Sequence, residues 1–176
     1  GAILNEGWSL KPFRFEDYIR NFYLQSTKDM VDTSFPVKYK DLEWTTPSHE
    51  ASILKALIDR ERPDFYYGLH NAWIGGTFWF ISRRIDAKYF EQLHQLTTKY
   101  GLPVQKRGLW RETSEQFYEG IFEMPDVTRF YDHAALTSSK PGDVIRYGAS
   151  SRYYLTSLEP SAVTFVTEMG YVRQPD

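Results

Sequence analysis

The sequence has no cysteine among its 176 residues. That absence excludes a disulfide framework, thiolate zinc sites, iron–sulfur clusters and a cysteine nucleophile, and it suits cytoplasm and periplasm equally. Long apolar runs are missing too: none approaches the roughly 18 to 20 residues that span a bilayer, so no membrane segment is expected. The opening GAILNEGWSL carries neither the basic nor the apolar block of a signal peptide. It begins with Gly1 in place of Met, consistent with a leader trimmed ahead of it, and the chain reads as soluble. Neither sign of charge is in excess, with 21 Lys and Arg against 23 Asp and Glu, a net charge of -2 and an isoelectric point near 6.1. Such a balance gives no overall attraction for nucleic acid or an anionic membrane.

Signature motifs are also scarce. Gly75 and Gly76 lack the Gly-Lys-Ser/Thr of a phosphate-binding loop and the third glycine of a dinucleotide fingerprint. His49-Glu50 has no second histidine four residues after the first, and no G-x-S-x-G elbow occurs. No catalytic residue, metal site or cofactor is therefore expected from local pattern.

Aromatic residues are what the chain has in quantity: 13 Tyr, 12 Phe and 5 Trp, 17% of the total. A core of large planar side chains follows, and the composition is not that of a disordered chain. With no repeat, low-complexity tract or linker, residues 1–176 read as one globular domain.

Apolar periodicity and turn chemistry suggest the elements. Phe15, Ile19 and Phe22 predict a helix from Phe15 to Leu24. One strand is expected around Val37 to Leu42. Thr46-Pro47 opens a second helix with the stripe Ile53, Leu54, Leu57 and Ile58, stopped by Pro63. Asp64–Asn71 and Thr77–Arg84, on either side of Gly75-Gly76, read as a hairpin. Asp86 caps a helix carrying Tyr89, Phe90, Leu93 and Leu96 that ends at Gly101 and Pro103, and a strand is expected from Leu102 to Lys106. Thr113 and Ser114 open another helix, with Phe117, Tyr118, Ile121 and Phe122 on one side, interrupted by Gly120 and ended by Pro125. Asp143–Tyr147 and Arg152–Leu155 read as strands about a Gly-Ala-Ser turn. Residues 160–169 are read as a helix closed by Gly170, against a strand reading from their Val and Thr content. The sum is an α+β domain of two layers, a mostly antiparallel sheet of about four to six strands on three or four helices.

Candidate sites follow from that layout. On the helix expected after Thr113, Glu112, Glu115, Glu119 and Glu123 fall at spacings of three and four and form one acidic stripe. It is either a solvated face or a surface for a basic partner. Lys106, Arg107 and Arg111 surround Trp110 just before it. The leading expectation is a non-enzymatic protein-binding domain, such as a bacterial inhibitor or immunity-type protein, contacting a basic toxin or enzyme through Trp110, Glu112, Glu115, Tyr118, Glu119, Glu123 and Asp126. The alternative is a small hydrolase or transferase acting on a phosphate-bearing or glycan substrate, with His70, Asn71, Arg83 and Arg84 converging at a sheet end beside Glu112 and Glu115. His94, one turn from Phe90, reads as a structural histidine, and Asp132-His133 could pair only across a sharp backbone turn.

Overall fold

The structure, a computed structural model, describes residues 26–106 and 112–172. The helix expected from Phe15 to Leu24, with Trp110, Arg107 and Arg111, lies outside these residues. Two 3-10 turns, Thr27–Asp29 and Val31–Thr33, lead into the hairpin of β1 (Val37–Tyr39) and β2 (Leu42–Trp44). One strand was expected here, but Lys40 at φ 52° reverses the chain in its middle. Helix α1 (His49–Glu61) is capped by the Ser48 hydroxyl, which accepts from Ala51 N, and stops at the left-handed Arg62 ahead of Pro63. Its expected stripe splits, with Leu54 and Ile58 turned inward and Ile53 and Leu57 outward.

Strands β3 (Phe65–Ile74) and β4 (Phe78–Ile81) exist where the sequence put them, but they do not form a hairpin. The strand between them is β7 (Val163–Val172), parallel to β3 and antiparallel to β4. Residues 160–169 are therefore strand, not helix, beyond a short turn. Val163, Thr164, Val166 and Thr167 are β-branched and suit a pleated, covered position better than a helix. The link from β3 to β4 must cross the end of β7, and the glycines serve that crossing: a Cβ on Gly170 would lie 2.4 Å from Gly75 O.

Helix α2 (Ala87–Lys99) has the expected bounds and caps, but of its stripe only Phe90 and Leu93 turn inward and Tyr89 and Leu96 are exposed. Asp86 accepts from Lys88 N, Gly101 has φ 63°, and Phe90 is buried. The Leu102–Lys106 strand is reduced to one parallel bridge, Val104 to Thr77. Residues 113–125 are corrected more deeply: they hold the hairpin of β5 (Gln116–Tyr118) and β6 (Ile121–Glu123), not a helix. Gly120 at φ 71° closes its two-residue turn, a conformation that interrupts any helix through this point.

Three helices complete the described chain: α3 (Val127–Ala134), α4 (Pro141–Val144) and α5 (Ser151–Leu158). The two strands expected over 143–147 and 152–155 are replaced by α4 and α5. Pro141 suits the first helical position of α4, and Ser150 accepts from Tyr153 N to cap α5. Helix α3 begins on Asp126, one residue beyond the proline that seemed only to end a helix.

The α+β class stands, with a mixed sheet ordered β3-β7-β4-β6-β5 and a separate two-stranded sheet. Of the five strand pairings three are antiparallel and two parallel. Helices flank the large sheet on both faces, one layer more than expected. Trp79, Ile81 and Ile121 meet Phe90 of α2 on one face, while Phe78, Phe80, Phe122 and Val166 cluster on the other. On that second face Arg152 of α5 reaches Gly68 of β3. A further core joins the helices to the β1–β2 hairpin around Phe35, Ile58, Tyr131 and Leu155. Among the described residues no helix is long and apolar enough to cross a membrane.

Candidate functional site

The acidic stripe does not form, because a helical spacing of three and four has no common face on a hairpin. Glu115 pairs with Arg84 at 2.5 Å, and Glu123 with Arg129 at 2.6 Å. Asp126 caps α3, its Oδ1 accepting from Thr128 N at 2.8 Å and Arg129 N at 3.0 Å. Glu119 sits in the β5–β6 turn, where its backbone carbonyl accepts from His94 Nε2 at 2.5 Å. The His94 ring also meets Tyr118 edge-on at 5.0 Å, so this histidine ties α2 to the hairpin. Glu112 is exposed. Of the acids expected to act together, Glu115, Glu123 and Asp126 thus have separate local partners. Asp132 likewise turns to Lys40 and Tyr39, away from His133.

The second set of candidates is not brought together either. His70 lies level with Glu168 and Phe78, whereas Arg83 reaches Ser161 O at 2.8 Å, beyond the opposite end of β7. Arg84 is occupied by Glu115 and stacks on Phe117 at 4.8 Å. Asn71, one residue after His70, belongs to the other face of the sheet.

A different polar cluster assembles on the α5 face, from residues far apart in sequence. Asp32 Oδ1 accepts from Ser151 N at 3.0 Å and from Ser151 Oγ at 2.6 Å, while Oδ2 pairs with the Arg152 guanidinium. Tyr66 Oη is 3.2 Å from Ser151 Oγ. Along β3 from Tyr66, His70 Nδ1 donates to Glu168 Oε2 at 2.9 Å. Glu168 is only 8% exposed, while the His70 ring is open to solvent. A buried carboxylate thus orients an accessible imidazole, the arrangement that suits a histidine for proton transfer. The bond to Glu168 raises the His70 pKa above its ordinary 6.5, against the opposing effect of burial; the charge of Arg152 lowers it and that of Asp32 raises it. Only the folded state has this bond. Its stabilisation is complete below pH 6.5 and fades as pH rises through the raised value. NMR titration is expected to place the His70 midpoint above 6.5 in the wild type and nearer 6.5 in Glu168→Gln. Equal midpoints would remove the pairing from the account.

The β3 edge is the other exposed feature. Ten residues long, β3 has β7 on one side and, among the described residues, no strand on the other. Because Asp64 O accepts from Val163 N, the alternation of backbone direction turns the N–H and C=O of Phe65, Tyr67 and Leu69 away from β7. Phe65 and Leu69 are 59% and 81% exposed, with Tyr67 and Met169 exposed beside them. Tyr67 stacks on Phe165 at 5.5 Å and its hydroxyl lies 2.8 Å from Thr167 Oγ1, so this surface is held in shape. Among the described residues no group of three or more His, Asp or Glu side chains is arranged to hold a metal ion. Compared with family models, with curated proteins and with solved structures, the chain matches none.

Proposed function

We propose that this chain is a protein-binding module that takes up an extended, uncharged segment of a partner polypeptide as an added strand on the open edge of β3. The observation that carries the reading is the edge itself. Natural sheets guard long edges with Lys, Pro, bulges or short strands. The stretch FYYGLHNAWI contains no Lys, Arg, Asp, Glu or Pro, and the opposite edge, β5, is guarded by being three residues long and irregular in register. Strand addition of this kind draws affinity from main-chain hydrogen bonds and specificity from alternate side chains, for which Phe65, Tyr67 and Leu69 provide the contact row.

A display library of random twelve-residue peptides selected on the protein tests this. The selected peptides are expected to alternate apolar and polar residues. They should bind Leu69→Lys about tenfold more weakly, the loss of one well-made contact, and bind Glu119→Lys as they bind the wild type. Equal binding to the wild type and Leu69→Lys would remove the edge as the site. Loss on Glu119→Lys alone would return attention to the acidic residues.

The His70–Glu168 pair favours a second reading, a hydrolase or transferase using His70 as acid or base. On that reading His70→Ala abolishes turnover and leaves peptide binding at the edge unchanged.

A further inference from the structure

Between α3, α5 and β7 lies a cavity of about 50 Å³ lined by Ser82, Met124, Asp126, Ser150, Arg152, Tyr153, Thr156 and Thr164. Two of its polar atoms are buried without a hydrogen-bond partner, Arg152 Nε and Thr164 Oγ1, and Thr164 is 0% exposed. A buried polar atom without a partner is costly, so each marks a place where a ligand atom fits. Arg152 Nε can only donate. Ser82 Oγ accepts from Thr164 N at 3.0 Å and Ser150 Oγ accepts from Tyr153 N at 3.0 Å, which leaves both hydroxyl hydrogens to donate. Ser150, which caps α5 with a neutral hydroxyl, lines the space, so the positive end of that eight-residue helix faces it, while the first amides of α3 are taken by the Asp126 carboxylate.

We infer that this cavity binds a small tetrahedral oxyanion, the phosphoryl group of a phosphate-bearing ligand. At roughly 10–15 Å³ for each water-sized oxygen, the space holds about three to five of them, a range that includes the four a phosphate carries. Two carboxylates stand nearby and both are already compensated: Asp32 pairs with the Arg152 guanidinium, and Asp126 Oδ1 accepts from Thr128 N, Thr128 Oγ1 and Arg129 N. The donors left over are those that face the cavity. This inference does not rest on strand addition at β3, which uses the outer edge of that strand, the one turned away from β7 and the cavity.

Inorganic phosphate is the probe, with sodium chloride at matched ionic strength as the reference. The wild type is expected to unfold at a higher temperature in phosphate than in chloride, because a ligand that binds only the folded state stabilises it. Thr164→Val keeps the shape of the side chain and removes only the unpartnered hydroxyl, so the variant folds. Calorimetric titration should find its phosphate affinity about tenfold lower, one hydrogen bond to a charged group. Ser157→Ala, on an exposed position of α5, should bind as the wild type does. Identical unfolding temperatures of the wild type in the two salts would overturn the inference and make the cavity a water site. Full phosphate affinity in Thr164→Val would overturn it as well.

Discussion

Phe35→Ala is expected to lower folding stability by about 3–5 kcal/mol, the range for removing a fully buried aromatic ring. Phe35, in the bridge ahead of β1, is 0% exposed and its ring lies 5.7 Å from that of Tyr154, so it ties that segment to α5. Its backbone is fixed from both sides: Phe35 N donates to Ala149 O at 3.0 Å and Ala149 N donates to Phe35 O at 2.8 Å. Gly148 presses on the same spot, since a Cβ there would lie 2.3 Å from Phe35 O. Held on that bridge, the chain cannot easily collapse into the space the ring leaves, and the full cavity cost is retained. Each kcal/mol moves the midpoint of a chain this size by about 2–4 °C, so a fall of roughly 6–20 °C is expected. Guanidinium unfolding should show a lower midpoint at unchanged slope. A loss below about 1 kcal/mol would mean that this core is not organised around Phe35.

Gly170→Ala is expected to cost about 1–3 kcal/mol by overpacking. The added Cβ would meet Gly75 O at 2.4 Å and Gly75 N at 3.1 Å, both backbone atoms that no rotamer change can move aside. Gly75 has φ 117°, a conformation that only glycine adopts readily, so the crossing segment has little freedom to yield. The damage is expected to be local: amide shifts concentrated at Gly75, Gly76 and the end of β7, with the helical core unchanged. Shifts spread evenly over the molecule would contradict the crossing geometry.

Where a fold signal is local, the sequence was readable. Helix α2 has its cap and its left-handed exit within fifteen or so residues, and both fell into place, while only Phe90 and Leu93 of its stripe turn inward. Residues 113–125 show the limit: Phe117, Tyr118, Ile121 and Phe122 fit one helical face and equally fit two strands joined by a two-residue turn. Gly120 decides between them, and its left-handed backbone is a property of the turn it closes. For β7 the Val and Thr content spoke for a strand, but only pairing with β3 and β4 makes that content decisive. The polar cluster had no local signature at all, because Asp32 meets Ser151 and Arg152 across 119 and 120 positions. The openness of β3 was hidden for a related reason. An uncharged aromatic run looks the same in the centre of a sheet and at its margin, and only the strand order tells them apart.

The position of β7 also sets an order of events during synthesis. It is the last described strand to leave the ribosome, yet it occupies the place between β3 and β4. Phe65 finds its partner only when Val163 has been made. Until then, among the described strands, β3 has a neighbour on neither side and β4 pairs with β6. Contacts this distant in sequence form late and slowly. A nascent chain therefore carries FYYGLHNAWI without its β7 partner until the residues around Val163 have been made, and over that interval the stretch is open to association with other chains.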